Sequence, residues 1–358
     1  MSAPEKLQCY CTIVPGLESA LIQEMAEYSL VGYAQKGGAY TTISVEPLPI
    51  LCGLRTPTAI QWQVINGQAC RSLSDFRRKL DSISWSQYFP KGAQVQIQAT
   101  CKESKLQRSD ILVDKAQRFF QVVLKSTSRG PLLPIVIRIR NNQMWLGVRL
   151  HKELLHKRGW RTEQVRTPLR ENWAMALLHI ANWNTSLPLI DPFCGSGTIS
   201  IEAARKIQKL SPHLNNPFLF QEWGWNVSLP TVSAEDSTEV LPIYASDKDE
   251  LSVQKSRQNA QNAGVSVHFA VQDIKEGRRH EDIKGKGVIV CNPPYGKNSG
   301  RKTDAVYHWL GKWHQEYYPD WPLYFLTTDV HKAKLVNPQV EIVGQFSNGG
   351  LLVYIAKV

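Results

Sequence analysis

The sequence predicts an α/β fold in its second half, an open and mostly parallel sheet flanked by helices, preceded by a smaller α+β region. Three observations carry this. From residue 187 onward, short apolar runs alternate with segments of helical periodicity, the pattern of strands buried on both faces with crossover helices between them. A glycine-bearing turn, Asp191-Pro192-Phe193-Cys194-Gly195-Ser196-Gly197-Thr198, separates the first apolar run from the first such helix, as in a βα unit that receives a nucleotide-like ligand. In the first half, Tyr40 to Val45 and Gln94 to Thr100 alternate apolar and polar residues, which reads as strands with one wet face.

Taken in order, Tyr10 to Val14 reads as a strand, and Pro15-Gly16 turns the chain into a helix from Leu17 to Tyr28 with Leu17, Leu21, Met25 and Tyr28 apolar. The strand from Tyr40 follows Gly37-Gly38, and this β-α-β opening suits a small ferredoxin-like unit. Ser104 to Asp110 precedes a helix to about Leu124, and Pro134 to Arg140 and Met144 to Leu150 form a hairpin around Asn141-Asn142. In the second half, Leu187 to Ile190 is a strand and Ile199 to Ile207 the helix after the glycine turn. Ile243 to Ser246 ends at Asp247 and is followed by a helix from Asp249 to Asn262; Val267 to Val271 ends at Gln272-Asp273. Gly287 to Cys291 delivers Asn292-Pro293-Pro294-Tyr295 to its carboxyl end, where open α/β sheets bind ligands. Leu323 to Thr327 is a further buried strand. Glu341 to Phe346 and Leu351 to Ala356 flank Asn348-Gly349, a strong hairpin signal.

The 358 residues are enough for two or three domains, and a net charge of +11 points to a polyanionic partner. No apolar run reaches membrane-spanning length and the first eight residues are too polar for a signal peptide. The seven cysteines are scattered without a Cys-x-x-Cys pair, which suggests reduced thiols in the cytoplasm. No metal site is assigned, and no obligate protein partner is evident. Cys194 and Cys291 fall near the two motifs, but no Pro-Cys pair accompanies them, so both read as small packing residues rather than nucleophiles.

The chemistry of the second half centres on Asn292 to Tyr295. The prolines remove backbone donors and stiffen the turn; their carbonyls and the Asn292 amide oxygen remain as acceptors. A rigid acceptor cluster beside the Tyr295 ring suits a planar group bearing an NH2. Gly195 and Gly197 allow a ligand close to the backbone, and the following helix N-terminus favours a carboxylate or phosphate. The loop matches neither the dinucleotide G-x-G-x-x-G pattern nor a P-loop. Asp247, at the end of the second strand, is placed to take ribose hydroxyls; Asp247 and Asp273, each alone, read equally as helix N-caps. Lys157, Arg158 and Arg161 in the basic stretch from Arg149 to Arg170, with Lys105 and Arg108 beside the earlier helix, are candidate phosphate contacts. Tyr307, Trp309 and Trp313 lie at helical spacing and read as core or as base-stacking residues.

Asp191 to Thr198 together with Asn292 to Tyr295 resemble the class I S-adenosylmethionine-dependent methyltransferases that act on exocyclic amines. Leu150 to Arg161 resembles the junction after a THUMP domain, Thr167-Pro168-Leu169-Arg170-Glu171 the cofactor segment before the glycine loop, and Ser211-Pro212 with Phe218 to Trp223 the insertion after the first helix. Along its whole length the chain is similar to the THUMP-containing guanine-N2 RNA methyltransferases of the large-subunit ribosomal RNA type, which are related to the tRNA enzymes. The resemblance implies a Rossmann-like class I methyltransferase domain over residues 156–358 with a terminal antiparallel hairpin. It places a ferredoxin-like region at 1–50 and a THUMP RNA-binding domain at 51–155 before it. It implies S-adenosyl-L-methionine as cofactor, held by Thr167, Pro168, Asp191, Cys194, Gly195, Ser196, Gly197, Thr198, Asp247, Asp273 and Asn292, with Asp273 on the adenine amino group. Asn292, Pro293, Pro294 and Tyr295 become the catalytic turn, and 23S rRNA the expected substrate, with tRNA the alternative. The same turn also occurs in enzymes acting on adenine N6 in DNA or RNA, or on glutamine side chains of release factors, and a non-catalytic RNA-binding protein is a further reading.

Overall fold

The computed structural model describes residues 3–46, 48–163, 168–213, 218–227, 242–277, 283, 285–295 and 300–358. The chain divides into two compact units. Unit 1 comprises residues 1–12, 25–155 and 213–230; unit 2 comprises 13–24, 156–212 and 231–358.

The chain begins with β1 (Lys6–Thr12) and α1 (Glu18–Glu27), whose N-terminal part groups with unit 2. Unit 1 continues through β2 (Tyr33–Gln35), β3 (Gly38–Ser44), α2 (Leu48–Cys52), β4 (Ala59–Ala69), α3 (Leu73–Asp81) and α4 (Trp85–Tyr88). Then come β5 (Gln94–Lys102), α5 (Ser109–Val123), β6 (Leu132–Arg140) and β7 (Gln143–Arg149). Its described strands form one sheet in the order β2-β3-β1-β4-β7-β6-β5, mostly antiparallel with β5 and β6 parallel. This single sheet runs through both regions that the sequence separates at residue 50. The β6–β7 hairpin turns at Asn141 and Asn142, both with positive φ (50° and 58°), the left-handed conformation that asparagine tolerates in tight hairpin turns.

Phe218 to Trp223 of the insertion also belong to unit 1, whereas Ser211-Pro212 group with unit 2. Phe218 bridges His151, the Leu219 N–H donates to the Leu150 carbonyl at 2.8 Å, and Trp223 Nε1 donates to the Leu132 carbonyl at 2.8 Å. Trp223 is fully buried against Phe89 and Trp225. The sequence places residues 213–230 in the second domain by position alone, whereas their aromatic rings are buried within unit 1.

Unit 2 follows as α6 (Glu171–Ile180), β8 (Leu189–Asp191), α7 (Thr198–Ile207), β9 (Ile243–Asp247), α8 (Glu250–Asn262) and β10 (His268–Val271). It ends with β11 (Val288–Cys291), α9 (Gly300–Tyr317), β12 (Leu323–Thr327), α10 (Val330–Val336), β13 (Glu341–Asn348) and β14 (Leu351–Lys357). The sheet order is β10-β9-β8-β11-β12-β14-β13; among the described strands β14 alone is reversed, pairing antiparallel with β12 and β13, and the other pairs are parallel. Successive strands step outward from β8 to β9 and β10, then return to its other side as β11 and β12. The topological switch point therefore lies between β8 and β11, where such sheets open a crevice at their carboxyl ends. One core of this unit packs Ile289, Cys291 and Phe325 from the sheet against Tyr307, Leu310 and Trp313 of α9. Tyr307 and Trp313 are thus core residues. Among the described residues, no helix is long and apolar enough to cross a membrane.

Candidate active site

A cavity of about 750 Å³ opens at the switch point of unit 2. Its walls bring together Pro168, Asp191, Cys194, Gly195, Ser196, Thr198, Asp247, Asp273 and the turn Asn292 to Tyr295, with Trp309 of α9. These residues lie far apart in sequence and meet because β8, β9, β10 and β11 end on the same edge of the sheet. Gly197 sits behind the lining. Thr167 lies outside the described residues.

The glycine loop is built from backbone bonds. The Cys194 N–H donates to the Ser246 carbonyl at 2.9 Å, and the Gly197 N–H to the Cys194 carbonyl at 2.8 Å. Gly195 and Gly197 have φ of 54° and 82°, which glycine adopts without strain. A Cβ on Gly197 would stand 2.9 Å from Ile201 Cδ1 and 3.2 Å from Ser256 Cβ. Behind the loop, α8 supplies two polar anchors absent from the sequence reading. Ser256 Oγ donates to the Gly195 carbonyl at 2.8 Å, and Asn259 Nδ2 to the Ser196 carbonyl at 3.1 Å. Asn259 Oδ1 also accepts the Thr162 and Glu163 N–H groups at 3.2 and 3.1 Å. Their spacing on one helical face was the available signal.

Asp247 has a structural duty as well as its place in the cavity wall. One carboxylate oxygen accepts the Gly195 N–H at 3.0 Å and the other the Asp249 N–H at 3.0 Å. Burial pushes its carboxyl up; the N–H bonds from Asp249 and Gly195 oppose the rise. Asp249 caps α8 through the Ser252 N–H at 3.2 Å, so the acid that begins the helix is Asp249 rather than Asp247. Asp273 accepts the Lys275 N–H at 3.1 Å at the start of a short 3₁₀ turn, Ile274–Glu276.

Among the described residues, three polar atoms of the cavity wall are buried without a protein partner: Asp191 Oδ2, Ser196 Oγ and Asn292 Oδ1. The other Asp191 oxygen takes the Phe193 N–H at 3.2 Å. Complete burial pushes this carboxyl up to about 8, with the Phe193 bond opposing and the Asp247 charge adding. Pro293 is buried and Pro294 exposed. Tyr295 is half-buried; burial pushes its phenol up, and the nearby Asn348 side chain at the end of β13 opposes the rise. Burial pushes the Cys194 and Cys291 thiols well up, which keeps both protonated and unreactive.

The structure corrects two of the candidate phosphate contacts. Arg158 and Glu202 have fully buried side chains with Nε and Oε2 3.5 Å apart, and Trp160 Nε1 donates to the other Glu202 oxygen at 3.1 Å. Arg161 Nη2 donates to the Leu169 carbonyl at 2.8 Å and Thr198 Oγ1 at 2.9 Å, and pairs with Glu171 at 3.4 Å. A buried cation held by a buried acid is not available to RNA. Arg161 instead ties the Pro168–Leu169 segment to the end of the glycine loop. Lys105, Arg108 and Lys157 are exposed, with Arg108 paired to Asp110 at 2.5 Å.

Residues 158–342 match the family model described as RMKL-like, methyltransferase domain. A Synechocystis protein with a provisional RNA methyltransferase name is 27% identical over 96% of this chain and 94% of its own length. The ribosomal RNA large subunit methyltransferase K/L of Aliivibrio fischeri is 32% identical over 66% of this chain, but the match spans only 37% of that protein. A crystal structure of a protein provisionally called a methyltransferase, complexed with SAH, superposes with a TM-score of 0.86 over 99% of this chain and 98% of that one, at 24% identity. The fold is that of Rossmann-like class I methyltransferases.

Proposed function

The chain belongs to the RMKL-like methyltransferase domain family, and on that premise we propose that it methylates the exocyclic N2 amine of a guanosine in RNA, with 23S rRNA as the substrate. S-adenosyl-L-methionine is the donor, and when bound it supplies an electrophilic methyl group on a sulfonium. The observation that carries the reading is that Asn292 Oδ1, Asp191 Oδ2 and Ser196 Oγ, in the wall of one cavity, are buried without a partner among the described residues. Leaving such atoms unmet costs a few kcal/mol each, so the site is made for ligands rich in N–H groups.

The residues divide the work. Asp191 suits the cationic ammonium of an amino-acid moiety, whose charge would favour the ionised carboxylate. The Cys194 to Thr198 loop lets a ligand approach the backbone, Asp247 retains lone pairs for ribose hydroxyls, and Asp273 faces the same cavity for an adenine amine. Asn292 and the Pro293 carbonyl would accept the two N–H bonds of the target amine and hold them as positive charge develops on nitrogen, which strengthens both bonds at the transition state. Tyr295, half-buried in the cavity wall, would offer a ring face to a base taken out of its stack. The front region, read as ferredoxin-like over 1–50 and THUMP over 51–155, would hold the RNA. The ribosomal substrate is drawn from the large subunit methyltransferases K/L, of which the chain spans a minor part.

The test is transfer of labelled methyl to ribosomal RNA from a strain lacking the gene, followed by nucleoside mass spectrometry. N2-methylguanosine is expected from the wild-type protein. Asn292→Ala should lower turnover at least about a hundredfold while keeping cofactor affinity. Label appearing as N6-methyladenosine would overturn the choice of acceptor, and full turnover by Asn292→Ala would remove the turn from catalysis.

A further inference from the structure

A second cavity, of about 340 Å³, lies wholly within unit 1, on the face of its sheet that turns polar side chains to solvent. Strand register assembles it. Arg138 is opposite Trp145 on β7 and Thr100 on β5, Arg140 is opposite Lys102, and Tyr10 is opposite Tyr40. Its floor is low because position 147 is glycine; a Cβ there would come 2.7 Å from Gln61 Oε1.

The chemistry of the lining is one-sided. Lys36, Lys102, Arg138 and Arg140 are all exposed, and no Asp or Glu is among the described lining residues. The nearest counter-charge, Glu103, pairs with Arg140 at 3.1 Å, both side chains about 60% exposed; such a pair is weak and exchanges readily for another anion. The Arg138 guanidinium lies 5.6 Å from the Tyr10 ring centre, the Tyr10 and Tyr40 rings are 4.5 Å apart, and Trp145 is half-buried. Solvent-facing sheets ordinarily mix both signs of charge. Cations and aromatic faces without acids match a phosphate joined to a planar base.

We propose that this groove binds one unpaired nucleotide of the RNA, its base against Tyr40 and Trp145 and its phosphate on Arg138, Arg140 and Lys102. The inference rests on the RNA reading above but assigns a separate site on the other unit. The volume admits a single nucleotide, and a continuous A-form helix does not present its base faces.

The test uses the full chain with a short unstructured oligoribonucleotide and a blunt RNA duplex of the same sequence, measured by fluorescence anisotropy across a salt series. Trp145→Ala should weaken the single strand at least about fivefold and leave the duplex unchanged, with Trp145→Phe restoring most of the loss. Arg138→Gln combined with Lys102→Gln should flatten the single-strand salt slope by about 0.7 per lost phosphate contact. Thermal unfolding of each variant, matched to wild type, shows that it is folded. Unchanged single-strand affinity in every folded variant, or equal loss on both RNAs, would overturn the site. Wild-type protein that binds neither RNA would instead overturn the RNA reading itself.

Discussion

A carboxyl group buried as completely as Asp191 has no counter-charge to justify ionisation in the ligand-free protein. Its pKa of about 8 in the folded chain stands above the ordinary 3.8, so across that interval the folded state holds a proton that the unfolded state releases. The associated stability is complete below about 3.8 and is lost as pH rises through about 8. Denaturant unfolding at pH 5 and pH 9 should therefore show a larger loss in wild type than in Asp191→Asn, by more than about 1.4 kcal/mol, the equivalent of one pKa unit; equal losses would refute the buried neutral acid. Arg161 gives the second residue-level expectation. Arg161→Ala removes the guanidinium paired with the buried Glu171 and should cost about 3–5 kcal/mol. Arg161→Lys keeps the charge but not the planar guanidinium whose Nη2 reaches both Leu169 and Thr198, so cofactor affinity should fall several-fold in calorimetry while the fold persists.

Elements convert these residues into a site. Gly197 caps α7 in the left-handed region with two side chains close to where a Cβ would stand. Gly197→Ala should cost about 1–3 kcal/mol and weaken cofactor binding, read by thermal melts with and without S-adenosyl-L-methionine. Asn348 of the terminal hairpin lies close to the Tyr295 hydroxyl. Asn348→Ala should raise the RNA KM while leaving cofactor affinity unchanged, since Asn348 is not among the residues that line the cavity with the glycine loop and Asp191. Most strands were legible because buried parallel strands are short apolar runs and edge hairpins carry Asn-Gly. β4 was not, since Asn66-Gly67 looks like a turn and instead lies at a register shift within a strand of eleven residues. α6 was missed for the opposite reason: residues 171–179 are all buried, so no polar face marks its period.

At the scale of the whole molecule, sequence neighbours and spatial neighbours part company. Residues 13–24 group with unit 2 and residues 213–230 with unit 1. Trp223→Ala should destabilise unit 1 by about 3–5 kcal/mol, seen as an earlier unfolding transition. A fragment of residues 1–155 should bind an apolar dye that the full chain excludes, because it lacks the rings of residues 218–225. The sequence by itself determined the alternation of strands and helices, the glycine loop and the Asn292 to Tyr295 turn, because these rest on local periodicity and on residues whose backbone needs are intrinsic. Only the tertiary structure decided that Arg158 and Arg161 hold buried acids rather than face RNA. It alone gave Asp247, Ser256 and Asn259 the task of fixing the glycine loop, and drew from strands β1 to β7 a groove with no acid among its described lining residues. Burial and pairing are properties of the assembled chain, and a charge in a sequence does not say what will stand beside it.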